Sequence, residues 1–240
     1  MCGRFTLKAS PAEMAASFEL FREPDWTPRF NIAPSQPVGA IRNVDGQREW
    51  SLFRWGLIPS WAKDEKIGYR MINARGETVH EKPSFRAAFK RRRCLIPVDG
   101  FYEWKAVGEG RSIPKQPFHI RRTDQQTFAF AGLWECWTSG DGSAVQSCTI
   151  VTTAANSLLA QIHDRMPVIL NRDEYDLWLD TDVEATALRQ LLQPLSVDAF
   201  EMYPVGFDVN NARTERPGLH LPISTTGNVR QQATLNFDND

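Results

Sequence analysis

A chain of 240 residues with 42% hydrophobic and 24% charged residues has enough apolar material to bury a core, in one domain or in two small ones. No apolar run approaches the ~18 residues of a membrane span, and the N-terminus lacks a basic-then-apolar signal pattern, so a cytoplasmic location is expected, or a nuclear one in a host with a nucleus. The formal net charge of −1 excludes a globally basic protein, so any polyanionic partner has to meet a local patch.

Ser10-Pro11-Ala12-Glu13 is a capping box with proline at the first helical position and predicts a short helix to about Phe18. Val38–Ile41 and Glu49–Ile58 read as strands around the hairpin turn Asp45-Gly46. Ser84 is placed to cap a helix through Phe85, Ala88 and Phe89 that ends in Lys90-Arg91-Arg92-Arg93, a basic run read as a solvated helix end. Strand-like runs follow at Cys94–Lys105, Pro117–Arg122, Thr127–Trp137 and Val145–Thr153, broken by the turn chemistry of Gly108-Glu109-Gly110, Asp124-Gln125 and Gly140-Asp141-Gly142. Asn156 predicts a helix through Ile162. Asn171 with Glu174, and Thr181 with Glu184, predict two more helices, which carry Leu177, Trp178, Leu188 and Leu191. The last strand is expected at about Phe200–Val205. Residues 223–240 are expected to be a polar, mobile tail beside a single domain of residues 1–222. Short turns between strands, with helices inserted, predict an α+β domain around a mainly antiparallel, partly closed, barrel-like sheet. Cys94, Cys136 and Cys148 sit in apolar runs without CxxC spacing, so reduced core cysteines are expected, with neither a disulfide nor a metal site.

Cys2 stands apart. Removal of Met1 leaves one residue with a free α-amine and a thiol on adjacent carbons, ordinarily titrating at about 7.7–8.0 and 8.5. Such an aminothiol attacks a carbonyl twice: the amine forms an imine and the sulfur closes a five-membered thiazolidine. An internal cysteine, whose nitrogen is an amide, cannot do this. The bland alternative is a small apolar residue tucked under a strand.

Three polar segments lie beside strands. Met71-Ile72-Asn73-Ala74-Arg75-Gly76-Glu77 offers Asn73 and Arg75, which taken alone read more readily as a turn residue and a surface ion pair than as site residues. In Asp99-Gly100-Phe101-Tyr102-Glu103-Trp104-Lys105, Glu103 lies among aromatics that would raise its pKa, unless it sits on an edge facing water. Ile162-His163-Asp164-Arg165-Met166-Pro167 offers an imidazole suited to proton transfer, or else a helix end whose cations complement the dipole. The aromatic-proline loops Arg29-Phe30-Asn31-Ile32-Ala33-Pro34-Ser35 and Trp55–Trp61 offer surfaces on which bases can stack. Trp55 reads as core and Trp61 as exposed. Thr152 can donate a hydroxyl to phosphate, or simply favour a strand.

Taken together, Cys2, Asn73-x-Arg75, Gly100-Phe101-x-Glu103-Trp104 and His163-Asp164-Arg165-x-Pro167 resemble the SRAP family, the SOS-response-associated peptidases also called abasic-site processing proteins. Arg29–Ser35, Trp55–Trp61, Val151-Thr152 and Val209-Asn210 match it too, so the resemblance covers Cys2 to about Pro222. It implies that a monomer, nucleoid-associated when bound, takes single-stranded DNA containing abasic sites and crosslinks Cys2 to the sugar aldehyde as a thiazolidine, without a cofactor or metal. By the same resemblance Glu103 is the acid/base, and His163 assists sugar-ring opening and crosslink reversal. Asn73 orients the Cys2 amine or sugar oxygens. Arg4, Arg75, Arg165 and Thr152 hold phosphates, and Asn31, Pro34 and Trp61 belong to the DNA-binding surface.

Rival readings differ in class. The Met-Cys-Gly start also begins class II glutamine amidotransferases, but the arginine-threonine-histidine motif expected there is absent. A cysteine peptidase built on Cys2, His163 and Asn73, which would also remove Met1, remains open. So does a non-covalent single-strand binder in which Cys2 is incidental.

Overall fold

The computed structural model describes residues 2–107 and 115–223. Strand β1 is Phe5–Leu7, helix α1 Pro11–Phe18, β2 Arg29–Ile32, β3 Pro37–Val44, β4 Gln47–Trp55, β5 Asn73–Arg75, α2 Arg86–Arg91, β6 Arg93–Val98 and β7 Gly100–Lys105. Then come β8 Gln116–Arg122, β9 Phe128–Thr138, β10 Ala144–Ala154, β11 Arg165–Pro167, β12 Ile169–Leu170, α3 Tyr175–Leu179, α4 Ala185–Gln190 and β13 Phe200–Pro204. The architecture is mostly β, with short helices at the periphery.

Five strands close on themselves. β10 pairs with β4, β4 with β3, β3 with β6, β6 with β9, and β9 returns to β10. All of these pairs are antiparallel except β4–β10, so the barrel-like expectation holds and the closure is complete. A second, antiparallel sheet runs β13-β8-β7-β1-β2. Period-two alternation puts Phe53, Trp55, Cys94, Ile96, Phe128, Phe130, Cys148 and Ile150 into one core with Phe5, Phe101 and Ile120 of the second sheet. The opposite barrel face, with Leu95, Ala131, Leu133 and Val151, is covered by Phe89 of α2, Trp178 of α3 and Leu188 of α4.

Local chemistry explains most boundaries. At α1 the Glu13 carboxylate accepts the Ser10 N–H at 2.7 Å, and the Ser10 hydroxyl accepts the Glu13 N–H at 3.3 Å. The β3–β4 hairpin turns on Asp45 and Gly46, with φ of 51° and 82°, the left-handed pair that matches strand twist. After β4, Gly56 takes φ 125°, and a Cβ there would lie 2.6 Å from the Gly68 carbonyl oxygen. That close approach folds residues 57–72 back, so β5 lies parallel to β10 beyond the end of β4.

Several expectations are corrected. The α2 helix starts at Arg86 with no side-chain cap from Ser84, because the Arg86 N–H already bonds to Lys82 O at 2.9 Å. Thr181 does not open α4. Asp180 Oδ1 accepts the Asp182 N–H at 2.9 Å and closes a turn there, leaving Glu184 as the N-cap residue. Asn156 caps Leu159 at 3.0 Å, but the helix is a single 3₁₀ turn, Leu159–Gln161. The run 94–105 is two strands, split at Asp99. Cys136 is exposed, since it falls on the outward phase of β9. Arg93, expected in solvent, is buried. The turn at Gly108-Glu109-Gly110 and the tail from residue 224 onward lie outside the described residues. Among the described residues no helix is long and apolar enough to cross a membrane.

Candidate functional site

The two sheets meet around Cys2. It is fully buried just ahead of β1, and β7 runs antiparallel beside that strand, with the Tyr102 N–H bonded to Arg4 O at 2.9 Å. Burial first, and then the negative charge of Glu103, push the Cys2 thiol well above its usual pKa. The Arg4 backbone N–H aimed at the sulfur works in the opposite direction. The thiol is therefore held neutral here.

Asn73 opens β5. Its Nδ2 donates to the Cys2 carbonyl oxygen at 2.9 Å, while its buried Oδ1 has no hydrogen-bond partner among the described residues. Asn73 lies in a strand and not in a turn, and the backbone group it satisfies is that of residue 2. Glu103, at 3% exposure, is not an edge residue facing water. Burial raises its carboxyl pKa, and the charge of His163 and the Trp104 N–H oppose that rise. Cys2, Asn73, Glu103 and His163 thus come together from the segment ahead of β1, from β5 and β7, and from the entry to β11.

His163 follows the 3₁₀ turn and is not a helix-terminal residue in the sense expected. Its Nδ1 accepts the Arg165 backbone N–H at 2.9 Å, and the exposed Asp164 Oδ1 lies at the same distance. The ring is thus held at Nδ1 by two neighbours, the Arg165 backbone and the Asp164 carboxylate.

Beside this group, β5, β10 and β11 form a ledge. Arg75 pairs with Thr152, and Ala154 with Arg165. The Arg75 side chain is exposed. Thr152 is buried, its hydroxyl 3.4 Å from Ala74 O. Arg165 donates to Thr152 O at 2.7 Å and forms a two-pronged ion pair with Glu77, one prong at 2.9 Å. That pairing holds the Glu77 carboxyl below its usual range.

Arg4 and Asn31 lie elsewhere, and both are buried. Arg4 Nη1 donates to Asn31 Oδ1 and to Val209 O, each at 2.7 Å, and its guanidinium stands 5.7 Å from the Trp104 ring centroid. Asn31 Nδ2 donates to Asn211 O at 3.0 Å and Thr214 O at 2.7 Å. Together with the bond from Trp104 Nε1 to Asn210 Oδ1 at 2.6 Å, these residues strap 209–214 against β2 and β7. Pro34 is half-buried in a loop whose Ser35 N–H bonds to Trp55 O at 2.8 Å. Trp61, on the 57–72 excursion, is 58% exposed, while Trp55 is fully buried. Glu77 was given no role by the sequence. The signal for it was an acid two positions after Arg75 in a polar segment. Among the described residues no group of three or more His, Cys, Asp or Glu is placed to hold a metal ion.

The fold and site define a mostly β protein whose polar groups converge on the second residue of its chain. The SRAP family model, "SOS response associated peptidase (SRAP)", matches residues 1–212, and the chain belongs to that family. It is 44% identical over 223 residues to the abasic site processing protein YoqW of Bacillus subtilis (strain 168), covering 91% of this chain and 98% of the relative. It is 29% identical over 273 residues to the abasic site processing protein HMCES of Xenopus tropicalis, covering 94% of this chain and 79% of that one. An X-ray structure of a protein from Bacteroides thetaiotaomicron aligns with a TM-score of 0.83 at 26% identity, over 93% of this chain and 100% of that one.

Proposed function

We propose that this protein processes abasic sites in single-stranded DNA by forming a covalent thiazolidine between Cys2, once Met1 is removed, and the sugar aldehyde. The observation that carries the reading is the bond from Asn73 Nδ2 to the Cys2 carbonyl oxygen at 2.9 Å, which fixes the backbone of the one residue able to present an amine and a thiol together. The names of the relatives support the substrate.

The chemistry balances within these groups. The Cys2 amine adds to C1′ of the open sugar, and water leaves to give an imine. The Cys2 sulfur then adds to the same carbon while the thiol proton passes to nitrogen. One water is released and no oxidant is needed. The raised pKa of Glu103 suits it to give a proton to the departing oxygen and to take one back. Imine formation precedes ring closure, because the carbon to which the sulfur adds is that of the imine. Asn73 Oδ1, lacking a partner among the described residues, is available to the amine N–H. His163 assists sugar opening and, in reverse, crosslink release. Arg75 and Arg165 meet phosphates, with the buried Thr152 behind Arg165, Pro34 and Trp61 pack against bases, and Arg4 and Asn31 shape the wall.

The test is a denaturing gel of protein incubated with abasic single-stranded DNA without borohydride. A heat-stable shifted band from wild type, absent from Cys2→Ala, is expected. Peptide cleavage without such a band favours the cysteine peptidase. Binding without it leaves the non-covalent reading.

A further inference from the structure

The candidate site uses Arg75 but leaves a line of cations beyond it. From Arg75 the chain proceeds through linked turns: Thr78 N–H to Arg75 O at 3.1 Å, Lys82 N–H to Thr78 O at 3.0 Å, and Arg86 N–H to Lys82 O at 2.9 Å, leading into α2. Within α2, Arg86 and Lys90 are four residues apart and share a face. Arg75, Lys82, Arg86, Lys90 and Arg91 are all exposed, while Ala88 and Phe89 on the other side are buried beneath α3.

None of these five cations has an ion-pair partner among the described residues, and the acids close by in sequence are engaged elsewhere. Glu77 holds Arg165, and Glu81 lies 3.3 Å from His80. Lys90 and Arg91 suit the negative end of α2, but Lys82 and Arg86 stand at its positive end, where cations are unfavourable. Like charges one turn apart also repel. Helix electrostatics therefore does not account for the line, on a chain whose net charge is −1. A polyanion does. Arg86 and Lys90 stand about one helical turn, ~5.4 Å, apart, and the line begins at Arg75, an arginine of the ledge beside Cys2.

We infer that Lys82, Arg86, Lys90 and Arg91 form a second nucleic-acid contact surface, which takes the sugar–phosphate backbone of the DNA where it leaves the abasic-site pocket; this rests on the function proposed above. The pocket then fixes chemistry on one nucleotide, and the stripe supplies length-dependent, sequence-independent affinity.

The experiment compares wild type with the quadruple variant K82Q/R86Q/K90Q/R91Q, whose folding is checked by thermal melting. Both are offered an abasic 5-mer and abasic and undamaged 25-mers of single-stranded DNA. On the 5-mer, equal crosslinking rates are expected. On the 25-mers the variant should bind more weakly, with a log–log salt slope reduced by roughly 1.4–2.8 units for two to four lost phosphate contacts. An unchanged 25-mer slope and affinity overturns the inference. So does an equal loss on the 5-mer, which would place these residues inside the pocket. If wild type crosslinks no abasic DNA, the functional reading fails, and the undamaged 25-mer still reads the stripe.

Discussion

Arg165 and Glu77 face each other through two guanidinium–carboxylate bonds, across the strand ledge that also carries Arg75. An exposed carboxylate so placed competes with a phosphate for the same arginine. Glu77→Gln is therefore expected to tighten binding of undamaged single-stranded DNA several-fold and to steepen the salt slope by about 0.7 for one added phosphate. Anisotropy titrations at four salt concentrations measure both. Weaker binding with an unchanged slope would instead make Glu77 the residue that holds Arg165 in its binding pose.

Asn73 is expected to control rate and not affinity. Asn73→Ala frees the Cys2 carbonyl and removes the acceptor next to the amine, and misplacement by about 1 Å costs up to about 10²-fold. Single-turnover crosslinking should slow by 10-fold or more, while undamaged DNA binds as before. Loss of binding in step with rate would assign Asn73 to general folding of β5.

Arg93 shows where sequence reading stops. Its position in Lys90-Arg91-Arg92-Arg93 suggests solvent, yet its guanidinium donates to Phe89 O at 2.7 Å, Lys90 O at 2.6 Å and Trp178 O at 2.6 Å, and also bonds to Asp180 O. It thereby closes the C-terminal ends of α2 and α3. Arg93→Ala strands these carbonyls and should cost roughly 3–5 kcal/mol, read as a shifted urea midpoint. A shift below about 1 kcal/mol would mean that water replaces the guanidinium.

What was legible was local or patterned. The Ser10–Glu13 box, the Asp45-Gly46 turn and the strand alternation are written within a few residues of one another, and each forms as its chemistry dictates. The convergence of Cys2, Asn73, Glu103 and His163 was legible as a set of rare motifs. The Arg165–Glu77 pair, the Arg93 hub and the bonds from Arg4 and Asn31 to 209–214 were not. Each joins segments whose proximity depends on strand pairing far along the chain, and neither propensity nor spacing encodes that.

Acid should loosen the second sheet. Burial, and secondarily Lys8, hold His119 well below the usual histidine range and His220 down to about 4; Arg121 adds to both effects, while Asp99 opposes it at His220. The unfolded chain takes up these protons near 6.5, so between pH 6.5 and about 4 it binds more protons than the folded protein, and stability falls as pH drops through that window. His119→Gln should flatten this part of a melting temperature–pH curve. Its Nδ1 lies 3.1 Å from the Tyr203 hydroxyl, a contact that a glutamine amide can replace in part. An equally steep curve in the variant would move the acid sensitivity to other groups.

Glu103 and His163 should prove separable. Imine formation removes a proton from the Cys2 ammonium and supplies one to the leaving oxygen. A buried carboxyl of raised pKa, next to Cys2, can do both in turn. Glu103→Gln keeps the shape of the side chain and loses the proton exchange, so crosslinking should slow by roughly 10²–10⁴-fold. His163 is oriented through its Nδ1, which meets the Arg165 N–H and the Asp164 carboxylate. Its task is ring opening of the sugar and, in reverse, reopening of the thiazolidine. His163→Ala should therefore slow reaction with the closed hemiacetal yet leave a preformed crosslink longer-lived. A pulse of labelled abasic DNA, followed by a chase of unlabelled competitor, separates the two steps. Label released from His163→Ala as fast as from wild type would reduce the histidine to a structural role at the entry of β11. Label retained longer, together with a slow forward step in Glu103→Gln, would divide the two proton transfers between the two residues.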